Sequence, residues 1–221
     1  PDLGLLVRFF GVPGSPGSGL PTIAGGAPQP LSARPPRRDV VLLDLARRAH
    51  QALLHDAGDL VPGIQELVEA CRSSSISPHD LRPFTFTIDH RGYDLVVGLR
   101  RPRDWVAIRA RAFAMALESC RRAFPLVVAD LDDDLEGEAQ TGSFDIEDRN
   151  LMTRAALAEA DVALVATLPT LTGLRDLIDE LQVLDEFGFP SERTLVVVNR
   201  APRSARARAE LTRTIADLAA T

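Results

Sequence analysis

The stretch DVALVATLPTLTGLRDLIDELQVLDEFGFPSERTLVVVNR, residues 161–200, changes its hydrophobic period twice. Residues 161–168 form a short apolar run of the kind found in strands buried on both faces. Leu174, Leu177, Ile178, Leu181 and Leu184 then recur at helical spacing, and Gly188 with Pro190 supplies a stop. Residues 194–200 return to the strand pattern. Working outward, the same strand signal appears at 3–12, 39–45, 93–99 and 124–131, with amphipathic runs between. Leu211, Ile215 and Leu218 mark a last helix that Ser204 can cap. Strand, helix, strand in succession predicts an α/β fold with a doubly wound, mostly parallel sheet flanked by helices. Residues 3–12, 39–45, 124–131, 161–168 and 194–200 are expected to be neighbouring parallel strands.

Composition narrows the class. With 221 residues, 45% hydrophobic and 25% charged, the chain has enough apolar surface for one core, and a single domain over 1–221 is expected. A net charge of -6 argues against an overall basic nucleic-acid footprint. All 25 basic residues are Arg, so no lysine exists anywhere to meet a phosphate. Cys71 and Cys120 lack metal or redox spacing and read as reduced thiols, and the four histidines form no zinc-ligand pattern. No apolar run approaches the ~20 residues that span a bilayer. A cytoplasmic protein is therefore expected, with peripheral placement at the membrane or pole left open. The chain opens at Pro1 without a methionine, as a trimmed piece would.

Ligands of doubly wound sheets bind beyond the carboxyl ends of the strands, which directs attention to the polar residues there. GVPGSPGSGLPT, residues 11–22, follows the first strand run and places Gly14 and Gly19 at the G-x-x-x-x-G separation of a phosphate-cradling loop, with Gly17 between. The two positions after Gly19, normally Lys and Ser/Thr, are Leu20 and Pro21, and Thr22 comes one step late. Residues 25–38 are a Pro/Gly-rich irregular segment with prolines at 28, 30, 35 and 36, so at most a short helical turn is expected behind the loop. Taken alone, the loop reads first as a Pro/Gly/Ser-rich turn with no ligand. Asp44 and Asp130 each close an apolar run, a place where Mg²⁺-nucleotide enzymes hold a metal shell. After Asp130 comes the acidic run LDDDLEGE, which a solvated loop would also explain. Arg100, Arg101 and Arg103 follow another strand and could meet phosphate or simply be solvated.

Together these landmarks resemble the deviant P-loop ATPases of the MinD/ParA group, and within it the CpaE/TadZ-like pilus-assembly and localisation proteins. GSPGSG is similar to the phosphate loop. DLARRAHQALLHD resembles the segment carrying D-L-D-x-x-x-G-D, and VVADLDDDLEG the Walker B and switch II region. VVVNRAPR is similar to the adenine-side N-R element. The resemblance implies a P-loop NTPase-like fold that binds ATP and Mg²⁺ as a homodimer and serves a protein partner in localisation or assembly. Carried over, Gly14, Ser15, Gly17, Ser18, Gly19 and Thr22 line the nucleotide phosphates, and Asn199 with Arg200 faces the base. Asp44 takes the catalytic position near water and metal, and Asp130 the Mg²⁺ shell. Both loop lysines are missing, with Ser15 and Leu20 in their places, and the second Asp of D-L-D is Ala46. A degenerate Walker A loop with weak or absent turnover is the expectation. The alternatives are a non-enzymatic dimeric scaffold, or a DNA binder using Arg203, Arg206, Arg208 and Arg213.

Overall fold

The computed structural model of the protein describes residues 4–10 and 39–219. Its seven described strands are β1 (Gly4–Phe10), β2 (Val40–Asp44), β3 (Phe86–Ile88), β4 (Tyr93–Val96), β5 (Leu126–Leu131), β6 (Val162–Thr167) and β7 (Thr194–Val198). They form one sheet in the order β3-β4-β2-β5-β1-β6-β7. The pairs β2–β4, β2–β5 and β6–β7 are parallel. The described helices are α1 (Gln51–Leu54), α2 (Ile64–Ala70), α3 (Pro78–Leu81), α4 (Ala110–Ala123), α5 (Glu138–Thr141), α6 (Phe144–Arg149), α7 (Leu151–Ala158), α8 (Leu171–Phe187) and α9 (Ala205–Ala219). The predicted α/β class with a mostly parallel sheet is therefore present.

The direction of the first strand corrects the expectation. β1 lies among the predicted neighbours but runs antiparallel to both β5 and β6. Phe10 is level with Leu126, and so is Val40 on the far side of β5. The exit of β1 and the entrance of β2 thus share one edge, two strand spacings or about 10 Å apart. A parallel pair would need a crossover, usually a helix, between them. The intervening sequence carries prolines at 28, 30, 35 and 36, which suit no such helix. The expected phosphate-loop residues and the 25–38 segment lie outside the described residues.

The alternation of side chains along the strands divides the apolar residues between two faces. Val41 and Leu43 of β2, Val96 of β4, and Val127 and Ala129 of β5 join the main core with Phe113, Leu117, Leu157, Leu177 and Leu184 from the helices. On the opposite face, Leu95 and Val97 pack with Ile88, Leu42, Ala52 and Tyr93. The sequence reading missed β3, whose three residues pair antiparallel with β4 at the sheet edge. Trp105 sits in a 3₁₀ turn spanning Pro102–Ala107 and packs on the main core.

The two helix-boundary signals are realised. Gly188 ends α8 in the left-handed region at φ 84°. Ser204 Oγ accepts from the Ala207 N–H at 3.1 Å at the start of α9. At the other end of α8, Thr170 Oγ1 accepts from the Gly173 N–H at 3.0 Å. Thr170→Ala leaves that amide unpaired and is expected to cost about 1 kcal/mol, read from urea midpoints. An unchanged midpoint would show that the cap contributes nothing.

Candidate functional site

Parallel pairing puts Asp44 directly opposite Asp130 at the carboxyl ends of β2 and β5. Both follow the side-chain alternation onto the face covered by α1. As the chain turns from β2 into α1, it lays Gln51 over the pair. The Gln51 backbone N–H donates to Asp44 Oδ2 at 2.8 Å, and its side-chain Nε2 donates to Asp130 Oδ2 at 2.5 Å. One residue therefore bridges both carboxyl groups. Asp44 is fully buried, and its Oδ1 has no hydrogen-bond partner among the described residues. Burial pushes the Asp44 carboxyl up to about 7, against the pull of the Gln51 N–H and with further help from Asp130. Burial also raises Asp130, opposed by the Gln51 amide and reinforced by Asp132.

Gln51 is itself held from behind. Its carbonyl accepts from His55 Nδ1 at 2.7 Å, while His55 Nε2 meets the Tyr93 hydroxyl at 2.5 Å. Because a carbonyl only accepts, Nδ1 carries a proton and donates to it; in the neutral ring Nε2 then accepts from the Tyr93 hydroxyl. A line of hydrogen bonds thus runs from β4 through His55 to the bridging residue.

The acidic run after β5 is held by the chain's own donors. Arg47 binds Asp132 Oδ2 through its backbone N–H at 2.9 Å and its Nε at 3.0 Å, and reaches Asp134 at 3.5 Å. Asp134 also receives Arg149 at 2.7 Å and the buried Asn150 amide at 2.7 Å. Arg100 turns to Gln65 and Glu66 on α2. Arg101 and Arg103 are exposed.

Asn199 and Arg200 lie at the same edge, but β1 and β6 intervene between β5 and β7, a span of roughly 14 Å at strand spacing. Asn199 continues the pairing of β7 by donating its N–H to Thr167 O at 2.8 Å. Its side chain accepts from the Arg200 N–H at 2.9 Å, and Arg200 adopts φ 55°. That is the geometry of a turn. The candidate residues Gly14, Ser15, Gly17, Ser18, Gly19 and Thr22 fall outside the described residues. What is described is where their loop departs: β1 begins at the carboxyl edge beside Leu131 and ends at the opposite edge beside Leu126.

In structure the chain is similar to a ParA family ATPase from Chlorobium tepidum TLS. The TM-score is 0.63 over 85% of this chain and 70% of that one, at 16% sequence identity. The fold is ParA/MinD-like. No protein-family model matches the sequence, and no curated protein does.

Within this ParA-like frame, the donor set can be tested for the Mg²⁺ that such a fold implies. Magnesium seeks near-octahedral oxygen ligands, several of them water. Here one oxygen of each carboxylate already accepts from Gln51. Among the described residues no group of three or more His, Cys, Asp or Glu is placed to hold a metal. The described residues therefore do not by themselves fit the ion. What they form is a buried carboxyl pair bridged by Gln51, with Asp44 pushed up to about 7 and Asp130 also raised, both by burial. Sequence reasoning missed Gln51, although a signal was present. Counted from Asp44, the last Asp of D-L-D-x-x-x-G-D falls on Gln51. Arg47 and Asn150 carried no comparable signal.

Proposed function

We propose that the protein is a MinD/ParA-like relative of the CpaE/TadZ proteins, a single domain over 1–221 with a degenerate Walker A loop. It acts in localisation or assembly through protein contacts as a vestigial nucleotide switch. The observation that supports this reading best is the Gln51 bridge. Mg²⁺-ATP chemistry needs cationic groups and a hydrated metal around developing phosphate charge. This chain has no lysine, and one oxygen of each strand-end carboxyl group accepts from the neutral Gln51 instead, Asp44 from its backbone N–H and Asp130 from its side-chain amide.

The DNA-binding reading is less well supported. Arg208 is turned onto the carbonyl groups of Pro202 and Arg203, and the stripe containing Arg206 and Arg213 is interleaved with Glu210 and Asp217. Among the described residues no helix is long and apolar enough to cross a membrane.

Calorimetric titration of the full chain with ATP and ADP, with and without Mg²⁺, together with phosphate release, tests the proposal. Turnover is expected to be absent, and Mg²⁺ is expected not to tighten binding. Robust turnover that disappears in Asp130→Ala would overturn it. Leu20→Lys with Pro21→Thr should strengthen Mg²⁺-ATP binding if the remaining groups of a nucleotide site persist. No gain would favour a pure scaffold.

A further inference from the structure

We propose that β7, an edge strand of the sheet, pairs antiparallel with β7 of a second copy of this chain, so that one sheet runs through a two-fold symmetric dimer. β7 ends the strand order and is bonded on one side only, to β6. Asn199 donates its N–H to Thr167 O on β6. Backbone direction alternates along a strand, so Leu195 and Val197 turn their N–H and C=O groups toward β6 as well, and Val196 and Val198 turn theirs outward. The outward groups make no hydrogen bond among the described residues. Natural sheets blunt such an edge by shortness, charge, proline or a bulge. The opposite edge obeys that rule, since β3 is three residues long. β7 does not: it reads TLVVV, keeps an unbroken register, and leaves Leu195 53% and Val197 45% exposed on the face away from the main core.

Free backbone groups in a row accept an extended strand, and β7 is complementary to itself. Two-fold pairing centred on Val196 turns the outward groups of both strands to each other. Val196 then exchanges N–H and C=O bonds with the partner's Val196, and each Val198 N–H donates to the Thr194 carbonyl of the other copy. Thr194 need not donate in return, because its own N–H already bonds Ser191 O. The axis stands perpendicular to the sheet, so the same face continues across the seam. Leu195 lies beside the partner's Val197, and each covers the other's bare side chain. The same register brings Arg200 of each copy level with the partner's Glu192 at the two ends of the seam. Both residues are exposed and make no ion pair among the described residues. Of the other charged groups flanking β7, Arg193 is held by the carbonyls of Ala160 and Asp161 and lies over the Phe189 ring, and Asp161 has an interaction of its own. Arg203 follows Pro202, beyond the turn that ends the strand. The contact is isologous and closes as a dimer. It does not depend on the nucleotide reading, and its test contains no nucleotide.

Sedimentation of the full chain over a concentration series, paired with amide hydrogen exchange, supplies the test. Mass should rise to that of a dimer and stop there. The Val196 and Val198 amides should exchange fast in the dilute monomer and become protected in step with dimer formation. Leu195→Lys with Val197→Lys alters two exposed positions and puts like charges across the seam; circular dichroism checks its fold, and association should fall about tenfold or more. Glu192→Arg alone and Arg200→Glu alone should each weaken association about fivefold, because symmetry places the pair at both ends. Both reversals in one chain should restore it. A wild type that stays monomeric up to about millimolar concentration would overturn the proposal. So would a dimer whose Val196 and Val198 amides still exchange fast, protection already complete in the monomer, as another segment of the same chain lying on the edge would give, or a double reversal no better than the singles.

Discussion

Replacing Glu180 with Gln is expected to stabilise the protein at pH 7 by on the order of 3 kcal/mol, and the gain should vanish near pH 4.5. Glu180 sits on the inner stripe of α8, only 4% exposed, between the buried Leu177 and Leu184. Its Oε1 finds no hydrogen-bond partner among the described residues. Burial, and secondarily the charge of Asp133, push its carboxyl up from 4.5 to about 8. The sign follows from the proton count. Between those two values the unfolded chain has released its proton and the folded chain keeps it, so stability falls as pH rises, by about 1.4 kcal/mol per unit. Below 4.5 both states are protonated and the cost is gone. Urea midpoints of wild type and Glu180→Gln at pH 4.5, 6, 7 and 8 should diverge steadily as pH rises. A difference independent of pH would show that Glu180 ionises normally in the fold.

Glu180 also illustrates what the sequence offered and what it withheld. The leucines of α8 announced a helix by their period, and a carboxylate three residues after Leu177 and four before Leu184 was visibly on the same stripe. Apolar runs located six of the seven described strands, including β7, although Leu195 and Val197 on its outer face are exposed. The pattern failed at β3, which is three residues long at an edge where burial imposes little pattern. It was silent on the direction of β1, because an apolar run reads alike whichever way it pairs.

The candidate site was half legible. Asp44 and Asp130 stood out as charged residues ending apolar runs, and pairing brought them together. Gln51 did not stand out, since its role depends on where a turn returns the chain. Asn199 was legible as polar at a strand end, but that alone could not say that its amide would be spent on a turn.

The same carboxyl edge carries the second large effect. Gly98→Ala is expected to destabilise the fold by about 1–3 kcal/mol and to dislodge Asp44. A Cβ at position 98 would lie 2.5 Å from the Asp44 carbonyl oxygen, 2.6 Å from Ala49 Cβ and 3.0 Å from Asp44 Cγ. The first contact is with backbone at the end of β2, whose carboxyl-terminal residues are paired to β5, so it cannot swing aside like the tip of a long side chain. Relief must come from moving the strand end or from separating β4 from the turn that leads into α1. Either movement stretches the 2.8 Å bond from the Gln51 N–H to Asp44. At Gly142 the same test finds nothing within 4 Å, but φ 68° makes its cost one of backbone strain alone. The two substitutions therefore separate crowding from conformation. Gly98→Ala should lower the urea midpoint and also weaken hydrogen-exchange protection at the Gln51 amide, whereas Gly142→Ala should leave that amide unchanged. Equal protection of the Gln51 amide in both variants would mean that Gly98 is not what holds Asp44 beneath its bridge.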